Sequence, residues 1–145
     1  MVSRGGHGVR IQPIPAEMVD IVWEDAIPLL SVAIDNSENE IGAEYIRTMA
    51  KQEIWDLWIA TRGERVVGAA VLELLPSLKG TWLNIVMCGV SKDLKVLDTI
   101  LKRVEEIAKL TGCCGVKWIS KDRRFGAYAE RQGYRERFRE YVKEY

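Results

Sequence analysis

The sequence contains only three cysteines and one histidine. Cys88, Cys113 and Cys114 form no even set, and two of them are neighbours, so the pattern is typical of free thiols rather than a disulfide framework. Together with His7 they offer too few ligands at suitable spacing for a zinc site, and we predict that no metal is bound. Because no histidine lies near Cys88, we predict a small buried hydrophobe there and not a nucleophile.

The sequence also lacks a long apolar segment. Its first residues have no apolar region of the signal-peptide type. The longest apolar stretch, VVGAAVLELL, is too short to cross a bilayer and includes Glu73. The sequence also has no excess of charge of either sign, since Lys+Arg number 21 and Asp+Glu number 21. We therefore expect a cytoplasmic protein with no membrane partner and no overall attraction to nucleic acid.

What is present is typical of one soluble domain. The chain has 145 residues, of which 48% are hydrophobic and 29% charged, enough for a substantial core. Residues 1–8 are predicted to form a loose N-terminal tail, and residues 9–145 a single domain. Five tryptophans are interpreted mainly as core residues.

The first half of the chain predicts one strand and two helices. GVRIQPIP is typical of an edge strand, because Pro13 cannot donate to a central ladder. A helix is predicted from Ala16, kinked or ended near its last turn by Pro28. Ser37 or Asn39 would cap a second helix.

The second half begins with a hairpin around T-R-G-E-R, with Gly63 in the turn. A third strand, TWLNIVMCGV, is followed by a helix capped by Ser91 and ended at Thr111-Gly112. GVKWIS is a further strand, and RFGAYAERQG a short helix closed by Gly133. The periodicity of the tail YRERFREYVKEY slightly favours a helix over a strand. The pattern indicates a mixed α/β domain with helices packed on a largely antiparallel sheet.

The order of these elements, together with three segments, resembles the GNAT superfamily of acetyl-CoA-dependent N-acetyltransferases. The segments are ERVVGAAVLEL, TWLNIVMCGVSKDLKVLDTILKRVEEIAKLTGC and AYAERQGYRERF. The resemblance implies a single GNAT-like domain with a central mixed sheet and about four helices. It also implies that the C-terminal tail is a strand, against the weak helical periodicity.

The resemblance implies a place for acyl-CoA where two neighbouring parallel strands separate. In the family the pyrophosphate lies on the backbone N–H groups of a glycine-rich loop at a helix N-terminus. Here the corresponding passage is shorter and lacks every loop glycine, and Asp93 adds a negative charge that Lys92 and Lys95 only partly offset. If acyl-CoA binds, the resemblance assigns the contacts to Cys88, Val90, Ser91, Lys92 and Lys95.

The family's catalytic positions also differ in this chain. The usual glutamate base corresponds to Asn84, and an amide cannot take a proton from an ammonium group. The usual tyrosine acid corresponds to Ala129, and a frequent asparagine corresponds to Asp122. Two candidates remain, namely Tyr128 as the acid, one residue from the family position, and Glu73 on the preceding strand as the base.

The C-terminal segment is rich in arginine. On a strand, Arg135, Arg137 and Arg139 would line one face, which suits phosphate or an acidic protein surface. Glu136 and Glu140 dilute this charge. We therefore expect a protein partner or self-association rather than nucleic acid.

Three functional hypotheses follow. The first is a non-catalytic GNAT-like protein that binds protein and needs no cofactor. The second is an atypical N-acetyltransferase that uses acetyl-CoA on an amine, and the third and weakest is a nucleic-acid-binding module. Small GNAT-like proteins with eroded cofactor loops occur in bacteriophages, and the resemblance extends to these, which would place the chain in the cytoplasm or on a virus particle.

Overall fold

The computed structural model describes residues 8–36, 41–120 and 123–145. Within them lie five strands, four α-helices and one short 3-10 helix at Ala16–Met18. The strands are β1 (Val9–Ile14), β2 (Asp56–Arg62), β3 (Arg65–Ser77), β4 (Gly80–Val90) and β5 (Gly115–Trp118). The helices are α1 (Val19–Asn36), α2 (Ala43–Lys51), α3 (Leu94–Leu110) and α4 (Arg123–Arg131).

The strands form one sheet in the order β1-β2-β3-β4-β5. The first four pair antiparallel, and β5 pairs parallel to β4. The hairpin between β2 and β3 turns at Gly63, whose φ of 62° lies in the region that favours glycine. The predicted mixed α/β domain with a largely antiparallel sheet is therefore confirmed.

The sheet separates two hydrophobic cores. Helix α3 covers one face, where Val96, Ile100 and Val104 are buried. Helices α1 and α2 cover the other face. Helix α1 approaches β4 so closely that a Cβ added to Gly89 would lie 1.7 Å from the carbonyl oxygen of Leu29. Only glycine fits at that crossing, because the obstructing atom belongs to the backbone.

Several predicted helix boundaries differ from the structure. Helix α1 continues through Pro28 to Asn36, so of the two predicted effects of this proline, the end of the helix is wrong. The N-cap of α2 is Gly42, while Ser37 and Asn39 lie outside the described residues. The N-cap of α3 is Asp93 and not Ser91, because the Asp93 side chain accepts the helix N–H bond. Of the predicted N-terminal tail, residues 1–7 also lie outside the described part.

The C-terminal tail, residues 134–145, has neither helix nor strand, so both predictions for it are wrong. Its start is held at two points. The hydroxyl of Tyr134 donates to Glu105 of α3 at 3.0 Å, and the Arg137 guanidinium lies 5.1 Å from the ring centre of Trp82. The side chain of Trp82 points away from the α3 core, since its neighbour Leu83 lies in that core. The tail therefore passes from the α3 face to the opposite face of the sheet.

Candidate functional site

Strands β4 and β5 separate, as a site between two parallel strands requires. They pair only over Trp82–Ile85 and Gly115–Trp118, while β4 continues to Val90. A bulge at this point leaves Val86 without a partner on β3. Such bulges bend a strand and occur often near functional sites. The two parallel strands therefore stop pairing in the region where the resemblance implies a cofactor site.

Aromatic side chains pack at this opening. The rings of Trp118 and Phe125 lie 4.0 Å apart, and those of Phe125 and Tyr128 lie 6.1 Å apart. Tyr128 is only 8% exposed, and the candidate cofactor contacts Cys88 and Val90 pack against the same cluster. These side chains therefore belong to the α3 core beside the point where the strands separate.

The N-terminus of α3, where a pyrophosphate would bind, holds a carboxylate of the protein itself. The Asp93 side chain accepts the backbone N–H of Lys95 at 2.9 Å, and the Arg62 guanidinium donates to it at 3.2 Å. The Lys95 N–H and, after it, Arg62 hold the pKa of the Asp93 carboxyl below its usual value. The positive end of the helix is thus already neutralised.

The loop before α3 uses further backbone groups internally. The N–H of Ser91 donates to the carbonyl of Val67 at 2.9 Å, and the N–H of Asp93 donates to the carbonyl of Ser91 at 2.6 Å. Lys92 is exposed. Of the candidate contacts for acyl-CoA, the side chains of Lys92 and Lys95 are exposed, whereas the N–H group of Ser91 is already hydrogen-bonded within the protein.

The candidate acid Tyr128 is hydrogen-bonded to a residue of α3. Its hydroxyl donates a short hydrogen bond to the carboxylate of Asp98. Burial and, after it, Asp98 raise the pKa of Tyr128 above its usual value. Ala129, at the family's acid position, has no ionisable proton to donate. Asp122 lies outside the described residues. The bond between Tyr128 and Asp98 joins α4 to α3.

The candidate base Glu73 lies in a hydrogen-bonded cluster on the opposite face. Its two oxygens accept from the indole N–H of Trp55 and from the amide of Asn84, both at 2.8 Å. The ring of Tyr45 packs edge-on against Trp55, with centres 5.5 Å apart. Glu73 and Tyr128 are therefore not brought together, since the sheet lies between them. No pattern in the sequence indicates that Trp55 is a partner of this carboxylate.

Cys88 is not an activated thiol. Burial raises the pKa of Cys88 to about 12, so the thiol is protonated at neutral pH. This agrees with the predicted role as a small buried hydrophobe.

The three tail arginines do not form the predicted stripe, because the strand on which it depended is absent. The Arg137 guanidinium lies over the ring of Trp82 and also 4.5 Å from the centre of the Phe138 ring. Arg139 pairs with Glu136 at 3.0 Å, and Arg135 is exposed. In the part of the chain that the structure describes, no cluster of three or more potential metal ligands occurs. None of the described helices is long and apolar enough to span a membrane.

No protein-family model and no curated protein matches the sequence. Solved structures with a similar fold include a ribosomal-protein-alanine N-acetyltransferase from Brucella melitensis biovar Abortus 2308, with 12% identity and a TM-score of 0.72. The similar region covers 94% of this chain and 99% of that acetyltransferase chain. A Trypanosoma brucei acetyltransferase has 16% identity and a TM-score of 0.66, covering 94% and 99%.

An aminoglycoside acetyltransferase from an uncultured soil metagenomic sample is similar over 94% of both chains, with 12% identity and a TM-score of 0.67. At such identities the likeness concerns the fold alone. The mixed five-stranded sheet with its four helices is the GNAT fold, as the resemblance implied.

Proposed function

We propose that this chain is a GNAT-fold protein that transfers no acetyl group and acts by binding protein. The observation that supports this most strongly is the Asp93 carboxylate at the N-terminus of α3, bonded to the Lys95 N–H. A pyrophosphate would need the same amides and the same positive helix end. Two anions cannot share that position without strong repulsion, so the protein's own carboxylate excludes the cofactor.

The candidate catalytic groups support the same proposal. A general acid must deliver its proton to the leaving group, whereas the proton of Tyr128 points to Asp98. A general base must face the amine that it deprotonates, whereas the Glu73 carboxylate is held toward Trp55 and Asn84 by one hydrogen bond to each oxygen. The two groups also lie on opposite faces of the sheet.

The protein-binding part of the proposal is supported by the tail. Four large apolar side chains in the last eight residues are at least 70% exposed, namely Phe138, Tyr141, Val142 and Tyr145. Arg135 and Arg137 accompany them. Exposed aromatic and arginine side chains are enriched at protein interfaces. A protein partner or a second copy of the chain would cover them.

The test is calorimetric titration with acetyl-CoA and, separately, with CoA. We expect no binding by the wild-type protein at cofactor concentrations up to about 1 mM, and a dissociation constant near 1 μM would overturn the proposal. Two variants identify the cause. Asp93→Asn keeps the cap and removes the charge, whereas Asp93→Gly removes both at small cost to the helix. Binding by both variants would assign exclusion to charge, and binding by Asp93→Gly alone would assign it to the occupied amide.

An atypical N-acetyltransferase is the second candidate. The separation of β4 from β5 beyond Ile85 favours it, because the opening is retained although it is filled. In that case Tyr128 would be the acid, and the aromatic cluster would have to move when acyl-CoA binds. The same titration decides, followed by an amine screen if acetyl-CoA binds.

A further inference from the structure

An open groove of about 410 Å³ lies between β1 and α3, at the edge of the sheet opposite to β5. This volume falls in the range of ligand-binding sites, about 300–1,000 Å³. One wall is an edge strand and the other a helix. The lining residues are Val9, Arg10 and Ile11 of β1 and Thr99, Lys102, Arg103 and Glu106 of α3.

The edge of β1 presents unpaired backbone groups to this groove. Pro13 pairs with Trp58 in the ladder, and a proline is accommodated there only if its nitrogen faces away from β2. In an antiparallel ladder the N–H and C=O of a residue point to the same side, and the sides alternate along the strand. Val9 and Ile11 therefore point their N–H and C=O groups outward. None of the turn, loop and cap hydrogen bonds among the described residues ends on either of them.

The floor of the groove is apolar. The side chains of Val9 and Ile11 belong to the α3 core, so they turn beneath the helix. Ile11 and Arg103 also border a cavity of about 10 Å³ whose other lining residues are almost all apolar. That cavity has room for a group about the size of one water molecule. A small apolar side chain fits over it.

The walls of the groove are positively charged. Arg103 pairs with Glu106 at 3.0 Å, and the Thr99 hydroxyl donates to the carbonyl of Lys95. Lys102 makes no ion pair within the described residues. The side chain of Arg10 points to the other face of the sheet, because those of Val9 and Ile11 turn beneath α3. The free charge of the groove is therefore cationic, and the ligand that it attracts carries acidic side chains.

Charge complementarity also distinguishes three possible occupants of the groove, namely the chain's own N-terminal residues, a second copy of the chain and a segment of another protein. The chain's own residues 1–7, MVSRGGH, contain Arg4 and no acid, so they do not complement the groove. A second copy pairing through its own β1 would bring two cationic grooves together. An acidic segment of another protein meets neither difficulty.

We propose that this groove binds an extended acidic segment of a partner protein, which adds to the sheet as a strand beside β1. Its backbone would pair with Val9 and Ile11, and the acidic side chains on its α3 face would contact Lys102. Addition of a strand at an exposed edge is a common mode of peptide recognition. The inference extends the protein-binding part of the proposed function and is independent of acyl-CoA, since the groove and the α3 N-terminus are tested by different ligands.

Backbone amide exchange measured by NMR provides the first test. The probe is a hexapeptide of alternating valine and glutamate, compared with one of alternating valine and lysine. In the free protein we expect fast exchange for the amides of Val9 and Ile11 and slow exchange for Arg10 and Gln12, which face β2. The valine–glutamate peptide should slow exchange at Val9 and Ile11 at least tenfold. No change with peptide up to about 1 mM, or an equal effect of both peptides, would refute the proposal.

Three variants complete the test. Lys102→Glu should weaken binding of the valine–glutamate peptide at least tenfold, whereas Lys109→Glu, on the same helix outside the groove, should not. Ile11→Pro removes an outward N–H without removing a ladder bond, so the fold should persist while binding is lost. Deletion of residues 1–7 tests the remaining occupant. If the amides of Val9 and Ile11 are slow in the full chain and fast after deletion, the N-terminal segment fills the groove and the proposal is wrong.

Discussion

Replacing Tyr128 with phenylalanine should lower stability without exposing a catalytic defect. The substitution keeps the ring, which is 8% exposed and packs on Phe125, and removes only the hydroxyl that donates to Asp98. A hydrogen bond to a charged group contributes about 1.5–3 kcal/mol. Asp98 is half-buried, so water can partly replace the lost donor. We therefore expect a loss of about 1–2 kcal/mol in the free energy of unfolding.

Urea and thermal unfolding measure this loss. For a domain of this size, 1 kcal/mol corresponds to about 2–4 °C in Tm. A double-mutant cycle with Asp98→Ala should give a coupling energy of about 1 kcal/mol, because the two side chains act through one bond. Asp98→Asn serves as the control, since the amide oxygen can still accept. A Tm change of Tyr128→Phe below about 1 °C would contradict the structural role and favour the acid hypothesis.

The pH dependence gives an independent check. The folded state raises the pKa of Tyr128 above its unfolded value of about 10. A group with a raised folded pKa contributes its full stability below the unfolded pKa and loses it as the pH rises further. The stability difference between wild type and Tyr128→Phe should therefore be constant from about pH 6 to 9 and shrink above about pH 10. A difference that shrinks below pH 9 would show that another group is responsible.

Two further predictions concern the opposite face of the sheet. Glu73→Gln should cost about 1–3 kcal/mol in urea unfolding, because the new amide N–H₂ would face a donor, either Trp55 or Asn84; an equal effect of Glu64→Gln, in an exposed turn, would argue against this. Gly89→Ala should cost more than about 3 kcal/mol or prevent folding, since its Cβ would overlap a carbonyl of α1. Gly126→Ala, in α4 with open space around its Cβ, should instead gain up to about 1 kcal/mol in thermal unfolding.

The elements that the sequence predicted well are those whose residues repeat with one period. The apolar positions of α3 recur at three and four residues, and the structure buries Ile100, Leu101 and Val104 among them. The β2–β3 hairpin follows from two β-prone runs around Gly63, because only a turn residue with positive φ closes it. In both cases local sequence and tertiary packing favour the same structure.

The predicted helix boundaries were wrong where the local sequence allowed two alternatives and tertiary contacts favoured one of them. Ser91 and Asp93 can both cap a helix, and Asp93 is the cap because Arg62 on β2 holds its carboxylate in place. Pro28 does not end α1, since the helix continues to Asn36. The prediction for the C-terminal tail failed for another reason. Its apolar residues fit a helical or a strand period, but no element among the described residues pairs with the tail as a strand. The choice of cap cannot be derived from the local sequence, because it depends on Arg62, which is distant along the chain.

The candidate site can be understood from what any fold of this type must satisfy. A helix N-terminus presents N–H groups that need acceptors, and two separating strands leave a space that needs atoms. A bound cofactor can meet both needs, but here Asp93 accepts one of these N–H groups, and Trp118, Phe125 and Tyr128 pack with the α3 core beside the separating strands. Among the described residues, no buried side-chain nitrogen or oxygen lacks a partner. An acyl-CoA molecule would therefore have to displace a capping carboxylate and part of a core before gaining any contact, and this double cost is the physical reason to expect that the chain functions without it.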